Sequence, residues 1–328
     1  MNYNEAKTAF TSLFSHEMND EEMRAFLLSM KLDANTPVEV LAAAACVMRS
    51  HAIALPIVEE LRPRLLDVVG TGGDKIGSFN ISSTVALLCS AAGAYVAKHG
   101  SRSVTSKSGS ADMFESLGVR LDLDIKQSAS LLEETGFCFM FAQNHHPAMK
   151  FIMPVRKSIS EKTIFNVLGP LTNPAGVQKT MLGVFDKSFV PKIAEALRIN
   201  ESKSALVVSS REHMDEVSIS NITYAARLDE SGIKEFEIDP QAFGIPHAPL
   251  EAIIGGEAKE NAQILHNIFN NQAQPAQRDI VLINAACSLM VEGMARDIQD
   301  GLEIARETLL SLKAKKKLDE VIKVSAKL

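Results

Sequence analysis

Residues 65–112 constrain the fold more than any other part of the chain, because they read twice in succession as strand, polar loop and helix. The apolar run Leu65-Leu66-Asp67-Val68-Val69 breaks into Gly70-Thr71-Gly72-Gly73-Asp74. Clustered glycines admit positive φ and leave bare N–H groups for a ligand. Asn80-Ile81-Ser82-Ser83-Thr84 then opens an apolar helix over 85–92. Hydroxyls at a helix start, just after a glycine loop, form an anion site. A second apolar strand over 94–97 ends in Lys98-His99-Gly100-Ser101-Arg102-Ser103, and Ser106-Lys107-Ser108-Gly109-Ser110-Ala111-Asp112 opens a further helix. Ligands of open α/β sheets lie at strand carboxyl ends, so these two loops predict a phosphate-rich ligand. Lys98, Arg102 and Lys107 supply local positive charge. The Rossmann fingerprint fails because Lys75 stands where its third glycine belongs, and no Gly-Lys-Ser/Thr follows for a P-loop.

The rest of the chain alternates in the same way. Helical spacing covers most of residues 1–50, with Asn19 ahead of an acidic first turn and Pro37 at the first position of a helix through Met48. A helix over 113–117, a short strand over 119–123, a helix over 125–135 and a strand over 137–142 follow. Next come a strand over 181–185, a helix over 189–197 and a strand over 204–209. A hairpin over 224–228 and 233–238 precedes helices from 257 to the end. Crossover-connected strands of this kind predict an α/β fold with a mostly parallel central sheet flanked by helices. Residues 144–174 differ from their surroundings. Helical pieces broken by Pro147, Pro154, Pro170 and Pro174 fit a return to the N-terminal helices over the mouth of the sheet. The expected division is therefore a small all-helical domain, 1–64, joined in space by about 144–174, and a larger α/β domain, 65–328.

A net charge of −6 argues against broad nucleic-acid binding. No apolar run reaches the roughly 18 residues of a membrane span, and MNYNEAKTAF has no signal-peptide pattern, so a cytoplasmic enzyme is expected. Cys46, Cys89, Cys138 and Cys287 lie in apolar segments without metal spacing and read as buried free thiols. The Lys-rich segment near the C-terminus reads as a solvated helix face. Asp215-Glu216, in the polar loop after a strand, are a candidate Mg²⁺ pair, since Mg²⁺ combines carboxylates with substrate phosphate oxygens.

Gly70-Thr71-Gly72-Gly73-Asp74, Phe79-Asn80-Ile81-Ser82 and the run from Lys98 to Asp112 resemble the anthranilate phosphoribosyltransferase family of tryptophan biosynthesis. The likeness continues through His145-His146-Pro147-Ala148-Met149, Pro154-Val155-Arg156, the run from Thr163 to Pro174, and Asp215-Glu216. It implies 5-phosphoribosyl 1-diphosphate as donor, contacted by Gly70, Gly73, Asp74, Ser78, Asn80, Ile81, Ser82 and Ser83. The second wall would be Lys98, His99, Gly100, Ser101, Arg102, Ser103, Val104, Thr105, Ser106 and Ser110. It implies anthranilate at Gly70, His99, Ser101, His146, Arg156, Gly169 and Pro170, with Arg156 gripping the carboxylate. Two Mg²⁺ ions on Ser82, Asp215 and Glu216 and a homodimer through the N-terminal helices complete the implication. No residue is assigned as acid or base. The family has Asn where this chain has Ser101, which bears on the acceptor pocket. Two alternatives stand beside this reading: a pyrimidine nucleoside phosphorylase, and a non-catalytic relative that binds nucleic acid.

Overall fold

A computed structural model describes residues 1–103 and 107–328. Seven strands form one sheet: β1 (Leu65–Gly70), β2 (Tyr95–Gly100), β3 (Phe137–Phe141), β4 (Lys179–Gly183), β5 (Ser204–Ser210), β6 (Thr223–Asp229) and β7 (Gly232–Ile238). Their order is β3-β2-β1-β4-β5-β6-β7. The first five are parallel, while β6 and β7 are antiparallel, as the hairpin pattern predicted. The chain runs outward from β1 through β2 to β3, then restarts on the other side with β4. The strand order thus reverses between β1 and β4, the place where such sheets open a ligand crevice.

Both faces of the sheet are covered. Leu66, Val68, Val96, Met181, Leu206 and Val208 share a core with helices Ile81–Ala92, Pro275–Glu292 and Ile298–Leu310. Leu182, Val184, Val207 and Ala226 belong to a second core with helix Val190–Ile199 and the N-terminal helices Tyr3–Phe14, Asp20–Ser29 and Val38–Ser50. Asn2 and Asn19 each form a reciprocal capping box, with Glu5 and Glu22. Pro37 sits one residue outside its helix, as the cap rather than the first helical residue.

The 144–174 segment lies against the N-terminal helices. His145 and Lys162 carbonyls accept from the Ile53 and Leu32 N–H groups at 2.8 and 3.1 Å, and Ile164 N–H donates to the Met30 carbonyl at 3.0 Å. Helix Met149–Lys157 and a short helix, Phe165–Leu168, lie within it.

The strand expected over 119–123 does not form. Gly118 adopts φ +88° and the Val119 N–H returns to the Phe114 carbonyl at 3.0 Å, which closes helix Ser110–Ser116. Val119 and Leu123 are buried by packing in two different cores, without strand pairing. The fourth strand spans Lys179–Gly183, two residues earlier than expected, because β1 fixes its register through Leu66↔Lys179 to Gly70↔Gly183. All four cysteines are free. Among the described residues no helix is long and apolar enough to cross a membrane.

Candidate active site

Gly70 and Gly183 end β1 and β4 side by side at the switch point. Across this gap runs the loop carrying Asp215 and Glu216. A Cβ on Gly183 would stand 1.6 Å from the Asp215 carbonyl oxygen, and one on Gly70 2.4 Å from Asp215 Oδ2. Both strands must end in glycine for the acidic loop to sit there. The loop then docks on the first anion loop: Gly72 N–H donates to Asp215 Oδ2 at 2.6 Å, and Ser82 N–H, at the start of helix Ile81–Ala92, donates to Glu216 Oε1 at 3.1 Å. The expected carboxylate pair and the expected glycine loop therefore meet in one place.

This pair is electrostatically incomplete. Burial, followed by the neighbouring Asp74 carboxylate, pushes Asp215 up to about 7. Burial and the adjacent Asp215 push Glu216 well above the usual carboxylate range, against the pull of Lys98. Lys98 is buried, which lowers its ammonium pKa, while Asp67, Glu216 and Asp215 oppose that shift. Its Nζ donates to the Val68 carbonyl at 2.5 Å and to Ser82 Oγ at 3.3 Å. With one buried ammonium among three carboxyls, burial favours their protonated forms, and a divalent cation would balance the charge of the ionised ones.

The three cations expected to act together stand in three different settings. Lys98 is engaged beneath the start of the helix. Arg102 pairs with Asp112 at 2.9 Å and with Glu115 at 2.8 Å, and Lys107 is exposed. Gly73 and Asp74 lie in the first loop, with Gly73 at φ +79° and Asp74 Oδ1 accepting from Ile76 N–H at 3.1 Å. Ser78 bridges to Ile254. Ile81 turns its side chain into the core, and Ser83 Oγ is buried without a hydrogen-bond partner. Asn80 does not cap its helix through its side chain. Its Nδ2 donates to the Ser108 carbonyl at 3.2 Å, while its Oδ1 accepts from Ser108 Oγ at 3.2 Å and Asn261 Nδ2 at 2.8 Å. It thereby ties the first loop to the second. Gly100 packs on Ser110, where a Cβ would meet Ser110 Oγ at 2.3 Å. The Ser101 carbonyl accepts from Ala111 N–H at 3.2 Å, and Ser103 N–H donates to Asp112 Oδ2 at 3.0 Å. Val104, Thr105 and Ser106 lie outside the described residues.

On the acceptor side, His99 and His146 stand with ring centroids 5.1 Å apart, each with a buried Nε2 that lacks a partner. Burial holds them neutral, pulled down to about 3 for His99 and about 4 for His146. His99 hydrogen-bonds to the Gly169 backbone and His146 to that of Thr172, so the stretch from Gly169 to Thr172, with Pro170, supports both rings. Arg156 lies in helix Met149–Lys157, half-buried, with its guanidinium 5.9 Å from the Phe165 ring centroid. Burial lowers its pKa. No carboxylate of the described residues pairs with it; its side-chain contact is Met153 Sδ at 3.9 Å. A half-buried guanidinium of this kind can grip a carboxylate bidentately.

Four buried polar residues received no role in the sequence reading. Asn173 Nδ2 donates to Asp67 Oδ2 at 2.7 Å and to the Ala97 carbonyl at 2.8 Å, linking β1, β2 and the 144–174 segment. Burial pushes Asp67 up to about 6, against the pull of Lys98. Asn261 and Asn284 reach the loops from C-terminal helices. The available signal was a lone amide in an otherwise apolar helix, as at Ile283-Asn284-Ala285. A buried polar group without a job would be expensive there.

A sheet crevice whose glycine loop and helix start hold paired carboxylates suits a transferase acting on a phosphorylated substrate. In keeping with this, residues 62–315 match the glycosyl transferase family, a/b domain. Anthranilate phosphoribosyltransferase of Methanobrevibacter smithii is 42% identical over 322 residues, covering 98% of this chain and 94% of the relative. The chain belongs to the anthranilate phosphoribosyltransferase family. The crystal structure of the Thermus thermophilus enzyme superposes with a TM-score of 0.91 at 34% identity, covering 99% of this chain and 96% of that one. The Saccharomyces cerevisiae enzyme in complex with PRPP and Mg gives 0.89 at 27% identity, covering 100% and 94%. The same yeast enzyme has also been solved with 4-fluoroanthranilate. These relatives favour neither the nucleoside phosphorylase nor the nucleic-acid-binding alternative.

Proposed function

We infer that the chain transfers the 5-phosphoribosyl group from 5-phosphoribosyl 1-diphosphate to the amine of anthranilate, releasing diphosphate, in tryptophan biosynthesis. One observation carries the reading: Asp215 and Glu216 are held by N–H groups of the first anion loop and of its helix start. Carboxylates held against a phosphate-type loop and its helix start suit a diphosphate bridged by metal. Ser82, Asp215 and Glu216 offer only oxygen donors, which suit Mg²⁺. Among the described residues no three His, Cys, Asp or Glu side chains are placed to hold a metal ion by themselves. Two ions are proposed.

Magnesium bound there would neutralise charge developing on the leaving diphosphate. With the Gly72 and Ser82 N–H groups engaged by Asp215 and Glu216, the remaining N–H groups of the glycine loop would face the phosphates. Lys98, bonded to Ser82 Oγ, fixes the orientation of that hydroxyl. Arg156 takes the acceptor carboxylate and so orients the ring, while neutral His99 and His146 border the cleft. The aromatic amine is already neutral at pH 7 and attacks the anomeric carbon through a loose, cationic transition state. Catalysis then rests on positioning and electrostatics. We further propose that 1–64 with 144–174 forms a helical domain over the α/β domain 65–328. We also propose that the enzyme is a cytoplasmic homodimer through the N-terminal helices, where Phe151 on the packed-back segment is 54% exposed.

The test follows anthranilate fluorescence with donor and Mg²⁺. Emission should fall, stop falling on EDTA, and resume with excess Mg²⁺. If emission holds while calorimetry still detects donor binding, the acceptor assignment fails. If the donor does not bind either, the whole reading fails.

A further inference from the structure

Asn284 stands behind the acidic loop. It lies in helix Pro275–Glu292, 1% exposed, among buried Ile280, Val281, Ile283 and Ala285. Its Oδ1 accepts from Val217 N–H at 2.8 Å, and its Nδ2 donates to the Val217 carbonyl at 2.8 Å and to the Ile280 carbonyl at 2.8 Å. The side-chain amide thus pairs with Val217 much as a neighbouring strand would, fixing both peptide planes that flank this residue. One of those planes contains the Glu216 carbonyl. From the front, Gly72 and Ser82 hold the two carboxylates; from the side, Gly70 and Gly183 leave room for them. Without Asn284 the Val217 N–H and carbonyl lose their partner in an apolar surrounding, and such groups move to recover bonds.

We propose that Asn284 is a positioning residue for Asp215 and Glu216, setting where the two carboxylates stand and hence the affinity of the site for a divalent cation. This rests on the reading of these carboxylates as Mg²⁺ ligands. A merely stabilising amide would lower the melting temperature without changing metal affinity. Ser288 supplies the comparison. It is fully buried one turn further along the same helix, and its Oγ donates to the Asn284 backbone carbonyl at 2.8 Å, with no bond to the acidic loop.

The experiment titrates Mg²⁺ by calorimetry into the full chain with 5-phosphoribosyl 1-diphosphate present, for the wild type, Asn284→Ala, Asn284→Ser and Ser288→Ala. Circular dichroism and melting temperature are recorded for each. Expected is an Mg²⁺ dissociation constant raised about tenfold or more in both Asn284 variants, with the Ser288→Ala value within about twofold of wild type. The KM for anthranilate should stay within about twofold throughout. If Asn284→Ala does not fold, Asn284→Ser, with its smaller cavity, decides between the two roles. Unchanged Mg²⁺ affinity in a folded Asn284 variant, or an equal change in Ser288→Ala, overturns the proposal while leaving the metal reading intact. A wild type that shows no Mg²⁺ binding overturns both.

Discussion

At the scale of single residues, Asp215 is the most informative side chain, because the fold holds it at a disadvantage. Burial and Asp74 raise it to about 7, from an ordinary value of 3.8. For an acid raised on folding, the stabilisation is fully present below the unfolded value and is lost as pH rises through the folded one. Metal-free protein should therefore melt at lower temperature at pH 8.5 than at pH 6, and Asp215→Asn should flatten that slope. The expected recovery at pH 8.5 is roughly 2–4 °C, read by melting in EDTA. Asp67, raised to about 6, adds to the slope in the same direction, so the variant reduces it without abolishing it. His99 and His146 act in a lower window. Held down to about 3 and 4, they favour the fold above about 6.5 and lose that contribution as pH falls. An equal slope in Asp215→Asn would mean that this carboxyl carries no strain. Residue chemistry of this kind was only half legible in the sequence. Adjacent Asp and Glu were visible as a possible metal pair, but their partial burial depends on elements far apart in the chain. Arg102 read as an anion-attracting cation, and its pairing with Asp112 and Glu115 on the following helix was not legible.

At the scale of elements, the site depends on how closely β1, β4 and the acidic loop approach. Gly183→Ala introduces a Cβ 1.6 Å from the Asp215 carbonyl, so the loop has to shift while β4 keeps its pairing with β1 and β5. Displacement of about 1 Å is enough to lower kcat/KM by roughly 100-fold, with circular dichroism and melting cooperativity retained. Wild-type kcat/KM in a folded Gly183→Ala protein would show that this approach is not needed. Nothing near Gly183 in the sequence reveals this role, because the clash comes from a loop beyond the next strand. By contrast, strand and helix periodicity, the hairpin and the acidic helix start after Asn19 were legible, since each is decided by neighbouring residues. The missing strand at 119–123 has the same explanation. An apolar alternation shows that side chains are buried, and packing can bury them without a pairing partner.

At the scale of the whole molecule, the 144–174 segment is bonded both to the N-terminal helical region and to the sheet. The α/β part brings the anion loops and Asp215-Glu216. The 144–174 segment, bonded to the N-terminal helices, brings His146, Arg156 and the backbone from Gly169 to Thr172. Asn173 joins the parts through Asp67 and the Ala97 carbonyl. The prolines of this segment announced an excursion from the strand-helix alternation. The buried amides that fasten it were not legible, since an isolated Asn carries no periodic signal. The central claim is that the loops and the acidic pair form one magnesium-dependent donor site. Calorimetry of 5-phosphoribosyl 1-diphosphate, with and without Mg²⁺, on wild type and Glu216→Gln tests it most directly. Binding should be at least about tenfold tighter with Mg²⁺ in the wild type, and the Mg²⁺ effect should be largely lost in the variant. An Mg²⁺ effect of the same size in both proteins would contradict the claim.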